Sequence, residues 1–175
     1  MKYKDAVRES MEMLAKEENA VFIGYNLAFG SKGYGTLINV PREHIVETPV
    51  AENLMTGLAM GLSLEGIRPV LIFERHDFML NALDALVNHL GRFEELSDGE
   101  YKMPVIIRAI IGGTKPFYPG PQHVQDYTNV FRDILSFPVS NPQTSEGIIR
   151  LYQEAQRSDR PFMIVEKRDL YDLNV

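Results

Sequence analysis

From Tyr3 to Glu18 the apolar residues Ala6, Val7, Met11, Leu14 and Ala15 recur at helical spacing, which predicts an amphipathic helix, and the apolar run Val21-Phe22-Ile23-Gly24 behind it predicts a short strand. A stretch punctuated by Gly30, Gly33 and Gly35 reads as a loop, and His44 to Glu47 as a second short extended segment. Thr48-Pro49-Val50-Ala51 then turns the chain into a helix over Asn53 to Leu64, with Glu52 at or just inside its start. That helix is built of small and apolar residues (Leu54, Met55, Gly57, Leu58, Ala59, Gly61, Leu62). Its two glycines lower helix propensity in a way that only close packing justifies, so a helix buried in the core or in a subunit interface is expected.

Gly66 ends this helix, Pro69 to Phe73 predicts a strand, and Phe78 to Leu96 carries apolar residues at the spacing of one long helix, closed by Ser97-Asp98-Gly99. Met103 to Ile111 is continuously apolar except for Arg108, the pattern of a strand covered on both faces, as in parallel sheets. Gly112 to Gln125 follows as the longest irregular segment. It contains a single histidine, His123, and loops of this length after a buried strand commonly serve function. Tyr127 to Leu135 reads as a helix, Phe137 to Ser140 as a strand, Ser145 to Arg157 as a helix and Pro161 to Glu166 as a last strand. This alternation predicts an α/β fold in three layers, a mostly parallel sheet with helices on both faces. Ligands of such sheets bind beyond the carboxyl ends of the strands. Glu52, the turn from Phe73 to Phe78 and the His123 loop all follow strands and are therefore expected on one edge.

Composition narrows the classes. The 175 residues suit one domain, 45% hydrophobic and 24% charged, as in an ordinary globular protein. A net charge of −6, without clustered Lys and Arg, argues against a nucleic-acid surface. There is no cysteine, hence no disulfide, thiolate nucleophile or Cys-based zinc site, which suits a reducing compartment. The acidic, amphipathic start is unlike a signal peptide, and no apolar run approaches the roughly 18 residues of a membrane span, so a cytoplasmic protein is expected. Phosphate-cradling loops, dinucleotide fingerprints, paired-His metal helices and serine elbows are all absent from the sequence.

A more specific signal lies in the order of several short pieces. Glu47-Thr48-Pro49-Val50-Ala51-Glu52, the small-residue helix ending in Leu64-Glu65-Gly66-Ile67-Arg68-Pro69, then Phe73, Asp77-Phe78, Ala82-Leu83-Asp84 and Asn88 form the first half. Met103 to Arg108, Gly112-Gly113 and Gly120-Pro121-Gln122-His123 continue it. Together they resemble the pyrimidine-binding (Pyr) domain of the transketolase-like thiamine-diphosphate enzymes, nearest to the beta subunits of 2-oxo acid dehydrogenase decarboxylase components, over nearly the whole chain.

The resemblance implies thiamine diphosphate as cofactor. Glu52 corresponds to the glutamate that hydrogen-bonds the aminopyrimidine ring nitrogen and favours the imino tautomer. A carboxyl that donates there must keep its proton, which an apolar pocket promotes by desolvation. The bland alternative is a solvent-exposed glutamate favoured by the helix dipole. Phe78 matches the aromatic ring stacked on the pyrimidine, with Phe73 and Glu74 as further cofactor contacts; a core phenylalanine is the alternative for Phe78. His123 matches a loop histidine that faces substrate and cofactor, where an imidazole can bind a carboxylate or pass protons, and Gln122 and His76 are placed with it on the substrate side. The polar run Glu74-Arg75-His76 departs from the more apolar stretch of the dehydrogenase relatives.

The same resemblance sets expectations for assembly. The family holds the diphosphate through Mg²⁺ in a second (PP) domain marked by Gly-Asp-Gly and a later Asn, and Ser97-Asp98-Gly99 does not supply it. A single Pyr-type domain over 1–175, without PP domain or carboxyl-terminal transketolase domain, is expected, with a PP-domain subunit as partner in an α2β2-type heterotetramer, or as a homodimer, and with no metal site of its own. The substrate is a 2-oxo acid or a ketose-type small molecule. A two-carbon ketol transferase subunit, a non-catalytic assembly module and a flavodoxin-like regulatory domain are the competing readings.

Overall fold

Each apolar run expected to form a strand pairs in parallel with a neighbour. The computed structural model, which describes residues 1–175, contains β1 (Ala20–Gly24), β2 (Ile45–Glu47), β3 (Arg68–Phe73), β4 (Ile106–Ile111), β5 (Val139–Ser140) and β6 (Phe162–Lys167). They form one sheet in the order β2-β1-β3-β4-β6-β5, every pairing parallel. Phe22 stands opposite Val70, Val70 opposite Ile106 and Ile106 opposite Phe162, so a row of apolar side chains crosses the central strands.

Side chains alternate between the two faces of a strand, and here both faces are covered. Val70 and Ile72 join Tyr3, Val7, Met11, Ile148 and Tyr152 beneath α1 (Tyr3–Leu14) and the helix Ser145–Arg157. Leu71 and Phe73 face the other way, against Met55, Ala59, Met79, Leu86 and Phe131 from α2 (Glu52–Leu64), the helical segment after β3, and α3 (Thr128–Ile134). The helix Ser145–Arg157, here α4, has the expected bounds, and its Thr144 N-cap accepts the Gly147 N–H at 3.1 Å. The expected three-layer α/β fold is therefore present. No helix is long and apolar enough to cross a membrane.

Several expected elements are shorter. β4 begins at Ile106 and β5 at Val139, each after a proline (Pro104, Pro138) that has no N–H to give a ladder. The single long helix expected from Phe78 to Leu96 is instead a chain of unlike turns. His76–Ala82 is 3₁₀, Ala85–His89 π-helical, Leu90–Arg92 3₁₀ again, and only Phe93–Leu96 is α-helical. Apolar spacing reports which face is buried and cannot distinguish tight turns from wide ones.

The small-residue helix α2 is covered by its own chain on one face only. Met55, Thr56, Ala59 and Ser63 face inward, while a Cβ added at Gly57 or Gly61 would meet nothing within 4 Å, and Leu54 is 57% exposed. The glycine face of this helix is not packed against its own chain.

Arg108, the polar interruption in β4, is 0% exposed. Its Nε and Nη2 donate to the two oxygens of Glu166 at 2.9 Å each, a fork-to-fork pair, and Nη2 also donates to the Tyr171 hydroxyl at 3.0 Å. Tyr152 and Tyr171 in turn donate to Glu166. Burial alone would lower the Arg108 pKa, but the Glu166 carboxylate outweighs it and the net direction is upward. The two chain ends meet on this side of the sheet. Lys2 bridges Asn174, the Tyr3 N–H donates to Leu173 O at 2.9 Å, and Ser145 Oγ donates to Met1 O at 3.0 Å.

Candidate functional site

Glu52 is the first residue of α2, directly after the turn that leaves β2, and is only 3% exposed. An acidic residue in a first helical turn is favoured by the helix dipole, but that effect gives no reason to bury it. Burial comes from the fold. Tyr25, which follows the last residue of β1, brings its hydroxyl to Glu52 Oε1 at 3.4 Å, and Asn81 of the segment after β3 brings Nδ2 to Oε2 at 3.5 Å. Both contacts are long, so the buried carboxyl is held in place while its hydrogen-bonding capacity is largely open. Burial, and then the proximity of Glu52, push the Tyr25 hydroxyl pKa far upward, which keeps it a donor.

The 3₁₀ segment His76–Ala82 that contributes Asn81 also carries Phe78, whose half-buried ring meets the His123 ring edge-on, 5.4 Å between centroids and 73° between planes. His123 lies on the long loop after β4, and the loop is held at three points. A Cβ on Gly112 would stand 1.7 Å from His123 O, so only glycine lets the strand end approach the loop so closely. Asp77 Oδ1 accepts the Gln125 N–H at 3.2 Å, and His76 Nδ1 accepts the Tyr127 N–H at 3.4 Å. Three side-chain atoms here are buried without a partner: His76 Nε2, Asp77 Oδ2 and His123 Nδ1.

The expected site residues separate on this geometry. Phe78 and His123 touch, and Asn81 of the same 3₁₀ segment as Phe78 reaches Glu52, so the three stand at the carboxyl edge, with Gln122 exposed beside His123. Phe73, expected on the cofactor wall, is 0% exposed and belongs to the core behind it. His76, expected near the substrate, is also 0% exposed and packs between Tyr127 and Phe131 at 6.2 and 5.3 Å. Burial pulls its pKa down to about 4 against the opposing pull of Asp126 and Asp77, so the ring stays neutral and can accept at Nδ1. Glu74, expected as a cofactor contact, turns to the loop after β1, where Asn26 Nδ2 donates to it at 2.9 Å and Ser31 Oγ donates to its other oxygen. In that loop the carboxylate of Glu47 accepts the N–H groups of Asn26, Leu27 and Ala28 at 2.6, 3.0 and 2.7 Å.

Tyr25 and Asn81 were not singled out by the sequence, and Asp77 only as part of the family pattern, without a role. For Tyr25 the signal was available, since it directly follows the carboxyl end of a strand; Asn81 and Asp77 depend on the irregular turns that periodicity hides. A hollow of about 360 Å³ around Gly91, Met103, Phe137 and Arg160 lies at the opposite, amino-terminal edge of the strands, away from these residues. Chemically, the carboxyl edge offers an aromatic face, a buried carboxyl with open capacity and an imidazole. This set fits a flat heteroaromatic ring with a ring nitrogen, such as the aminopyrimidine of thiamine diphosphate.

Residues 1–174 match the family described as transketolase, pyrimidine binding domain. The chain is 28% identical over 173 residues to the pyruvate dehydrogenase E1 component subunit beta of Rickettsia conorii, covering 96% of this chain and 52% of that protein. It is 28% identical over 176 residues to the mitochondrial subunit beta of Saccharomyces cerevisiae, covering 98% and 48%. It thus spans about half the length of these curated relatives. Among solved structures it superimposes, with a TM-score of 0.75 and 19% identity, on a split gene transketolase described as an inactive beta4 tetramer, covering 96% of this chain and 51% of the other.

Proposed function

Since the chain belongs to the transketolase pyrimidine-binding domain family, we propose that it forms the pyrimidine side of a thiamine-diphosphate site in a heteromeric enzyme acting on 2-oxo acids or ketose-type substrates. The observation that carries this reading is the burial of Glu52, 3% exposed with only two long hydrogen-bond contacts, on the same carboxyl edge as Phe78 and His123.

When bound, the cofactor would supply a carbon nucleophile for a ketone carbonyl carbon, so that the carbon–carbon bond beside that carbonyl can break or form. The chain's own residues position and polarise it. Glu52 presents its carboxyl to the pyrimidine ring nitrogen, holds a proton there and so promotes the imino tautomer. Tyr25 and Asn81 fix the orientation of that carboxyl. Phe78 provides the stacking face, and His123, which rests edge-on against it, binds or exchanges protons with the substrate. The diphosphate and its Mg²⁺ fall to a PP domain on a partner chain, a reading supported by the description of the relatives as beta subunits.

A two-carbon ketol transferase is the second reading, favoured by the structural likeness to a split transketolase and by the polar Glu74-Arg75-His76 turn. The test is Glu52→Gln, assayed after mixing with the chain that supplies the PP domain. Assembly should be unchanged while activity falls by about 100-fold or more, the scale of a lost general acid. Full activity in the variant would refute the assignment of Glu52. Tight binding of thiamine diphosphate and Mg²⁺ by this chain alone would refute the divided site.

A further inference from the structure

Arg75 is a cation without a counterpart. It follows Glu74 at the carboxyl end of β3, is half-buried, and forms no ion pair with a carboxylate of the chain; the Tyr34 hydroxyl is the group its N–H donors approach, and the remaining donors of the fork are open. A guanidinium taken partly out of water without a carboxylate is costly. The nearby acids are already engaged: Glu74 by Asn26 and Ser31, Glu47 by three backbone amides, and Asp169 by Thr114 N and Oγ1 at 2.9 and 3.1 Å.

Its surroundings hold the guanidinium at the site. The Arg75 Cζ lies 5.4 Å from the centroid of Tyr34, a residue held at φ 58° whose buried hydroxyl has no other partner. Arg168 lies 5.3 Å from the same centroid, but it approaches Asp172 at 3.7 Å, so Arg75 is the open one of the two. Arg75 Nη1 stands 3.2 Å from the point where a Cβ on Gly112 would be, and His123 O stands 1.7 Å from that point. The guanidinium therefore borders the segment that carries His123.

We propose that Arg75, an unpaired guanidinium between Tyr34 and the His123 segment, receives the anionic group of the substrate. The inference rests on the divided cofactor site proposed above and adds to it a residue that selects for charge. The shared chemistry is a planar or tetrahedral oxyanion, either the carboxylate of a 2-oxo acid or the phosphate of a sugar phosphate. A guanidinium can grip both through paired N–H donors, whereas the ammonium of lysine supplies a single point of charge.

Two measurements test it, the first without cofactor or turnover. The ¹⁵N-labelled full chain is titrated separately with pyruvate and with inorganic phosphate while the Arg75 Nε–H signal is followed. A saturable shift with pyruvate supports a carboxylate ligand, a saturable shift with phosphate supports a phosphate ligand, and no saturable shift with either overturns the proposal. In the assembled enzyme, Arg75→Gln should raise KM for the charged substrate by about 10- to 100-fold, the scale of a lost charged hydrogen bond, with kcat much less changed. Arg75→Lys should recover part of that loss. Equal effects on the charged substrate and on its uncharged ester would overturn the proposal even if the Arg75 signal moved. Because Glu52→Gln tests the cofactor site separately, a KM unaffected by Arg75→Gln beside an inactive Glu52→Gln enzyme would reject the role of Arg75 alone.

Discussion

At the scale of single residues, burial decides what His76 can do. Its folded pKa of about 4 lies below the ordinary 6.5, so the unfolded chain binds a proton that the folded chain refuses. The corresponding stability is fully present above pH 6.5 and is lost as pH falls from 6.5 towards 4, by an amount on the order of 3 kcal/mol. His76→Phe should flatten this part of the acid limb. Urea midpoints measured across the window for both proteins check it, and an unchanged slope would mean that His76 does not titrate as its burial implies. Arg108 shows the opposite outcome of burial: a charge kept in the interior because Glu166, Tyr152 and Tyr171 surround it. The sequence marked Arg108 only as an interruption in an apolar strand. Its partner lies 58 positions away, a separation at which no local pattern operates.

Among the elements, the strands were legible because each is a short apolar run between turn residues, and the helix Ser145–Arg157 because its pattern and its Thr144 cap agree. The segment after β3 was legible in its burial but not in its geometry. Its 3₁₀ and π turns place Phe78 and Asn81 where a regular helix would rotate them elsewhere, which is why Asn81 could not be foreseen as a neighbour of Glu52. The loop that carries His123 depends on one glycine. Gly112→Ala would put a methyl group 1.7 Å from a carbonyl oxygen, so strand end and loop must separate. The expected result is faster amide exchange at Gln125, loss of activity in the assembled enzyme and little change in far-ultraviolet dichroism, since β4 itself need not move. Slow exchange at Gln125 in the variant would show that the loop has another anchor.

Considering the molecule as a unit, the layered fold and the position of Glu52, Phe78 and His123 beyond the carboxyl ends of strands followed from the alternation of helices and strands, while the roles proposed for these residues rest on the family resemblance. The inward position of Phe73 and His76 did not follow, because exposure depends on which loop covers a strand end, and the loop after β4 covers this one. The open glycine face of α2, with Leu54 beside it, leaves the core half of the expectation for this helix unmet and the interface half open. The pairing of Lys2 with Asn174 and of Tyr3 with Leu173 has a consequence for the order of the elements. With first and last residues adjacent, a linker of about five glycine and serine residues can join them, and the chain can be reopened in the exposed turn at Gly99-Glu100. Such a circular permutant should recover the same sheet, measured by dichroism, with a melting temperature within several degrees of the parent. Failure to fold would mean that assembly of this sheet requires the original strand sequence, not merely the original set of contacts.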